Sequence, residues 1–309
     1  MKLVFMGTPV FSVPILEALI KHHEVLLVVT QSDKPVGRKR VLTESPVKKC
    51  AIENNIPVFQ PEKLREDYQR ILDLKPDILI TAAYGQMLPK ALLNQVKAIN
   101  VHGSLLPKYR GGAPIQYALF DGLKETGISI MHMAYQMDSG DIIKQAKVEI
   151  SDDDNYETLS HKLSLKGRQM IIDVLDDLSH GKTERKPQDA SQVTFAYIIK
   201  RNDEFLDFKQ TTKKVINRVR GLSPEPGAHA YIGNHLIKFY SVSNSDIIKG
   251  EAKPGTILEN KKKLVIATLD GAVEILEIQV PGKKQMAVRD FLNGQTMINI
   301  GDVFKEGIE

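Results

Sequence analysis

The sequence predicts an α/β domain with a Rossmann-like parallel sheet, followed by a small OB-like β-barrel domain. Two patterns carry that reading. Through residue 181, short apolar runs alternate with helical stretches, the mark of βαβ units. Beyond residue 206, short β-rich segments replace them, punctuated by Gly-Asn, Asn-Lys and Asp-Gly turns.

Val4-Phe5-Met6 reads as the first strand. After Gly7-Thr8-Pro9 it gives way to a helix with Val13, Leu16, Leu19 and Ile20 at helical spacing. Val25–Thr30 is the next strand, Ser45–Asn54 a helix, Ile56–Phe59 a short strand and Asp67–Leu74 a helix. Asp77–Ala83 is a short, largely apolar run of the kind buried in a parallel sheet. A helical stretch around Pro89–Val96 leads to a further apolar run, Lys97–Val101, and a helix starts again near Ile115. Ile128–Met133 alternates like a strand, and Gln136–Gly140 is a turn. Glu157–His180 is a long helix with Leu159, Leu163, Ile171, Val174 and Leu178 inward and Gly181 at its end. Lys182–Tyr197 lacks periodicity and carries Pro187. Residues 182–205 therefore read as a linker between domains of residues 1–181 and 206–309.

The second domain opens with a helix near Thr211–Gly221, whose apolar stripe is Val215, Ile216, Val219 and Leu222. Lys209, Lys213, Lys214, Arg218 and Arg220 flank the stripe with no acidic residue among them. Strands are expected at Ala228–Ile232, Leu236–Val242, Gly255–Leu258, Leu264–Thr268 and Val273–Val280.

Chemistry concentrates in Asn100–Pro114 and in Asp138-Ser139-Gly140-Asp141. Asn100 and His102 are two apart, so an extended strand points them to one side. The chain turns at Gly103, and Pro107, Gly111, Gly112 and Pro114 forbid regular structure beyond it. Polar side chains leaving the C-terminal end of a parallel strand stand where open α/β sheets take ligands. An amide, an imidazole and a carboxylate are the groups needed to move an acyl group between nitrogens. Asp138 supplies the carboxylate if the fold brings its turn beside His102, with Asp141 as the alternative; an Asp before Ser-Gly otherwise bonds only its own backbone.

Composition narrows the classes. At 309 residues the chain holds two cores, and no apolar run reaches the roughly 18 residues of a membrane helix. Met1–Met6 is too short for a signal-peptide core, so a cytoplasmic location is expected. One cysteine, Cys50, excludes an internal disulfide and a cysteine-rich metal site, and no metal site is expected. Net charge is +4, and Lys34–Arg40 packs four cations around a Pro and a Gly, a loop suited to an anionic partner. After the first strand only Gly7 of a G-x-G-x-x-G pattern is present, which disfavours a nicotinamide dehydrogenase.

The passages Phe5–Pro9, Thr30–Lys48, Val58–Pro61, Ala83–Pro89, Ile99–Gln116, Arg220–Gly227 and Pro281–Met286 resemble the folate-dependent formyltransferases over nearly the whole chain. The S-L-L-P loop with its Asn-x-His and later Asp is common to that family. The basic loop and the C-terminal barrel resemble the members acting on aminoacylated tRNA. The sequence departs from the family's usual pattern at Ser32, Val10 and Glu225.

The resemblance implies transfer of a formyl group from 10-formyltetrahydrofolate to the α-amino group of initiator methionyl-tRNA, by a monomer that serves translation initiation. It implies Asn100 and His102 as donors to the formyl oxygen, with Asp138 orienting the imidazole and helping the amine proton to the folate nitrogen. Ser104, Leu105, Leu106 and Pro107 would wall the folate. Gln86, Met87 and Leu88 would line the pterin pocket, largely through backbone atoms. Arg38, Lys39, Arg40, Lys213, Lys214 and Arg218 would bind tRNA. Two rivals stay open: a formyltransferase for a small amine such as an amino-sugar nucleotide, and a non-catalytic RNA-binding module.

Overall fold

The structure, a computed structural model, describes residues 1–36, 40–305 and 307. The chain divides into two units. One comprises Met1–Pro114, Glu125–Glu149 and Ser160–Tyr197, and the other Ile115–Lys124, Ile150–Leu159 and Ile198–Glu309.

Chain order gives β1 (Lys2–Gly7), α1 (Val13–His22), β2 (Glu24–Val29), β3 (Lys34–Val36), β4 (Val41–Thr43), α2 (Pro46–Glu53) and β5 (Val58–Phe59). Then follow α3 (Leu64–Asp67), α4 (Gln69–Asp73), β6 (Ile78–Ala82), α5 (Lys90–Leu93), β7 (Ala98–His102), α6 (Pro114–Phe120), β8 (Glu125–His132), β9 (Ile142–Glu149) and α7 (Tyr156–Ser179). Seven strands form one sheet, in the order β5-β2-β1-β6-β7-β8-β9. The first five in that order are parallel, and β8 and β9 run antiparallel at one edge.

Leu3–Met6 and Ile78–Ala82 are buried along their whole length, which is why they read as unbroken apolar runs and not as alternation. The crossover from β1 runs toward β2 and the crossover from β6 runs the other way, toward β7. Such a reversal opens a crevice at the C-terminal ends of the strands.

Local chemistry sets several boundaries. Ser45 caps α2 by accepting from the Lys48 amide at 3.1 Å, and Pro46 supplies the first helical position. Cys50 lies buried on that helix, as a small apolar residue would. Burial pushes its thiol up to about 11, so it is no nucleophile at neutral pH.

The structure differs from the sequence expectation at several points. Asp67–Leu74 is not one helix, because α3 and α4 break at Tyr68, while Leu64 and Ile71 both remain buried. Lys34–Val36, expected in a loop, is the short strand β3 paired antiparallel with β4, Lys34 opposite Thr43. The polar alternation of Ile142–Glu149, unmarked in the sequence, is the edge strand β9.

In the second unit, α8 (Thr212–Leu222) precedes β10 (Ala228–Ile232), β11 (His235–Asn244), β12 (Ile257–Glu259), β13 (Leu264–Ala267), β14 (Ala272–Gln279), β15 (Met286–Ala287) and α9 (Val288–Leu292). The antiparallel order is β10-β11-β14-β13-β12, with β15 on β14. Val215, Val219 and Leu222 of α8 sink into a core with Phe208, Phe239 and Phe304, as the apolar stripe predicts. The edges β10 and β12 do not stay open. Tyr231 and Lys305 exchange main-chain hydrogen bonds of 2.7 and 2.8 Å, and Phe304 donates to Gly255 at 2.8 Å, so the 303–305 segment covers both edges and closes the sheet toward a barrel.

Candidate active site

Asn100 ends up beside Thr81 because β6 and β7 pair in register there. The Thr81 hydroxyl, itself buried, donates to Asn100 Oδ1 at 2.9 Å. The amide nitrogen then faces Asp138 Oδ1 at 3.4 Å. The opposite amide orientation would set oxygen against carboxylate, so Asp138 and Thr81 together hold the NH2 toward the site.

His102 lies two residues on, 5% exposed. Its Nε2 is 2.9 Å from the Tyr109 carbonyl. A carbonyl can only accept, so Nε2 carries the hydrogen and a neutral ring keeps its lone pair on Nδ1. Nδ1 looks at Asp138 Oδ2 across 3.7 Å, too long for a hydrogen bond but close enough to favour a positive charge arriving there. The imidazole is thus oriented by Tyr109, not by Asp138, as the resemblance had implied.

Asp138 sits at φ +48 in the turn after β8, its carboxylate Oδ2 accepting from the Gly111 amide at 2.8 Å. Gln188 fixes this turn. Its Nε2 donates to the carbonyls of Asp138 and Gly140, 2.8 Å each, while its Oε1 accepts from Arg110 Nε and Nη2 at 3.0 and 2.8 Å. Gly140 has no room for a side chain, since a Cβ would stand 1.8 Å from the His132 carbonyl. Among the described residues the Asp141 carboxylate makes no hydrogen bond or ion pair with Asn100 or His102, and its main-chain carbonyl accepts from the His132 amide at 2.9 Å. Of the two carboxylates, Asp138 is the one brought to Asn100 and His102.

Gln188 lies in the aperiodic stretch after α7. That stretch is zipped onto the site loop, Arg110 donating to Thr194 at 2.9 Å and Ala196 to Arg110 at 2.8 Å.

The remaining candidates fall into place by burial. Ser104 is fully buried, and its hydroxyl donates to the Lys108 carbonyl at 2.7 Å. Ser129 and Gln145 lock the same loop. Ser129 Oγ donates to Ser104 at 2.6 Å and accepts from the Leu106 amide at 3.0 Å, and Gln145 Nε2 donates to the Leu106 carbonyl at 2.9 Å. Leu106 packs with Met131 and Ile142, leaving Leu105 and Pro107 partly exposed.

Gln86 spends its side chain on the Leu64 amide and the Pro61 carbonyl, Leu88 points into the core, and Met87 is 57% exposed. Among the described residues the main-chain groups of 86–88 form no hydrogen bond. They are an unused donor–acceptor edge in a loop leaving the end of β6, and such an edge fits the hydrogen-bonding rim of a fused heteroaromatic ring.

Of the basic candidates, Arg38 and Lys39 lie outside the described residues, and Arg40, Lys213 and Lys214 are exposed. Arg218 is already engaged, its guanidinium 4.1 Å over the Phe120 ring and hydrogen-bonded to the Asp203 carbonyl. Among the described residues no cluster of three or more His, Cys, Asp or Glu is arranged to hold a metal ion, and no helix is long and apolar enough to cross a membrane.

A family model described as formyl transferase matches residues 1–175, and one described as formyl transferase, C-terminal domain, matches residues 198–296. The chain belongs to the formyl transferase family.

Within that family, it is 47% identical over 309 residues to a methionyl-tRNA formyltransferase of Staphylococcus epidermidis, covering 98% of this chain and 99% of that protein. It is 48% identical over 298 residues to a methionyl-tRNA formyltransferase of Listeria welshimeri, with 95% of each covered. Among solved structures, HypX from Aquifex aeolicus in complex with tetrahydrofolic acid has a TM-score of 0.66 at 17% identity, over 94% of this chain and 47% of that one. The chain therefore spans about half the length of HypX. An N-formyltransferase from Helicobacter canadensis in complex with folinic acid and dTDP-3-aminofucose has a TM-score of 0.68 at 20% identity, over 89% of this chain and 98% of that one. At such identities the two structures show the fold.

Against the formyl transferase pattern, the three departures are all on the surface. Ser32, Val10 and Glu225 are exposed, and none touches Asn100, His102 or Asp138.

Proposed function

We propose that the protein transfers the formyl group of 10-formyltetrahydrofolate to the α-amino group of methionine on initiator methionyl-tRNA, in the cytoplasm. The observation that carries the chemistry is the convergence of Asn100 Nδ2 and His102 Nδ1 on the two oxygens of one carboxylate, Asp138. Supporting the choice of acceptor are the relatives named methionyl-tRNA formyltransferase, similar over nearly the full length of both chains.

The folate supplies a formyl group on a nitrogen that can leave as a neutral amine. Asn100 has its amide oxygen tied to Thr81 and one NH2 hydrogen turned to Asp138, which leaves the other hydrogen for the formyl oxygen as charge builds there. A donor of this kind is worth about 10²–10³ in rate. His102, with Nε2–H held by Tyr109, has only Nδ1 to offer. As the amine nitrogen bonds to the formyl carbon, Nδ1 takes the surplus proton, and Asp138 at 3.7 Å stabilises the imidazolium. The same proton then passes to the departing folate nitrogen as its bond to the formyl carbon breaks. Atoms and charge balance with no covalent enzyme intermediate. The unused main-chain edge at 86–88 takes the pterin, and Leu105 and Pro107 wall the site. Arg38, Lys39, Arg40, Lys213 and Lys214 hold tRNA phosphates.

The experiment is a comparison of acceptors with purified protein and 10-formyltetrahydrofolate. Initiator Met-tRNA should be formylated with a kcat/KM orders of magnitude above that for an amino-sugar nucleotide. Preference for the sugar nucleotide would make the small-amine reading correct, and no transfer to either would leave an RNA-binding module.

A further inference from the structure

We infer that Phe195 and Tyr197 form a stacking platform for the terminal bases of the tRNA acceptor end, with Lys108 beside them for a phosphate. This rests on the tRNA reading above and adds a binding site to it. The two rings are exposed, 45% and 62%, yet they are ordered against each other, parallel within 12° with centroids 5.9 Å apart.

The segment that carries them is pinned. Ala196 between them is fully buried, its amide donating to Arg110 at 2.8 Å and its carbonyl accepting from Ala113 at 3.2 Å, and Thr194 Oγ1 accepts from the Tyr109 amide at 2.9 Å. Exposure alternates along this segment, with residues 195 and 197 open to solvent and residue 196 buried between them. A preformed pair of flat, apolar, solvent-facing rings loses little conformational freedom when something stacks on it.

Position identifies the occupant. The neighbouring segment holds Arg110 and Gly111, and the Gly111 amide binds the Asp138 carboxylate at 2.8 Å. Gly111 also lies against residue 196, for a Cβ there would come 2.3 Å from the Ala196 carbonyl. The backbone that carries the rings therefore runs about 5 Å, one main-chain pairing distance, from the segment whose Gly111 amide holds Asp138. In an aminoacyl ester the α-amino nitrogen is four bonds from the terminal ribose, about 5 Å. An amine delivered to Asp138 and His102 brings the last nucleotides across this pair of segments. Every base offers a face to an aromatic ring, and an exposed lysine such as Lys108 meets the backbone between them.

The test is steady-state formylation of Met-tRNA by the full-length protein, with KM measured separately for tRNA and for folate. Phe195→Ala and Tyr197→Ala should each raise the KM for Met-tRNA about ten-fold or more, leaving folate KM and kcat unchanged. Tyr197→Phe should behave as wild type, and Lys108→Ala should reduce the salt slope of tRNA binding by about one. Met-tRNA made abasic at its penultimate nucleotide should lose the same factor with wild type and lose nothing more with the affected alanine variant. A tRNA KM within two-fold of wild type in both alanine variants would overturn the platform. So would a joint rise in folate KM with a fall in Tm, which marks a structural role, or a change in oligomeric state alone, which marks a self-contact. Absence of formylation by the unaltered protein would overturn the tRNA reading and the platform together, whereas normal formylation with unmoved KM overturns only the platform.

Discussion

The side chain of Gln188 donates to the main-chain carbonyl of Asp138 at 2.8 Å, so a residue 50 positions along the chain sets the turn that carries the site's carboxylate. The same amide nitrogen reaches Gly140, and its oxygen holds Arg110. Gln188→Glu keeps the partner for Arg110 but cannot donate to two carbonyls. We expect it to lower kcat by at least ten-fold with both KM values within about three-fold, because the loss is one of positioning. Unchanged kcat would show that the turn holds its shape without the clamp.

Asp138→Asn preserves shape and removes charge. With no carboxylate opposite Nδ1, the imidazolium loses its stabilisation, and activity should fall by about 10² or more. Asp141→Asn should stay within a few-fold of wild type. Measured kcat for the two variants decides, and the reverse order would reassign the carboxylate.

Arg218 and its neighbours on α8 should separate. Arg218→Ala removes a guanidinium stacked on Phe120 and should lower Tm while leaving the salt slope of tRNA binding intact. Lys213→Ala and Lys214→Ala should leave Tm unchanged and reduce that slope by about one each if each meets a phosphate. Paired melting and salt-titration curves read both effects.

His229 is fully buried, and among the described residues neither ring nitrogen has a hydrogen-bond partner, Glu204 Oε2 lying 3.7 Å from Nδ1. Burial lowers its pKa, Arg201 and Lys238 add to that, and Glu204 opposes it. A histidine that resists protonation when folded takes up fewer protons than the unfolded chain below about pH 6.5. Stability contributed by its neutral form is therefore present above that pH and lost as pH falls toward the folded pKa. Burial lowers His23 and His132 in the same direction, so the difference between proteins is the informative quantity. In melting curves from pH 7.5 to 5, His229→Phe should lose less Tm than wild type, and equal slopes would contradict this.

Much of the architecture was legible in the sequence because burial leaves a direct pattern. Continuous runs such as Ile78–Ala82 mark strands covered on both faces, and the five expected barrel strands fell within about two residues of those observed, while the two-residue β15 left no pattern. Asn100 and His102 were legible from their spacing and the Gly/Pro loop after them. Thr81, Gln188, Ser129 and Gln145 were not, because each acts through a partner distant in sequence. Only register places Thr81 opposite Asn100 and Ser129 opposite His102. Arg218 illustrates the converse. Its charge was plain, but the ring beneath it belongs to Phe120, and no local pattern reveals that contact.

The central claim is that Asn100 acts on the developing oxyanion and not on bound substrate. Single-turnover formylation of Met-tRNA by Asn100→Ala, with both substrates saturating, tests it most directly. The predicted result is a chemical step slowed by about 10²–10³ with the dissociation constants of both substrates unchanged. A chemical step at the wild-type rate, with weakened binding of either substrate, would contradict it.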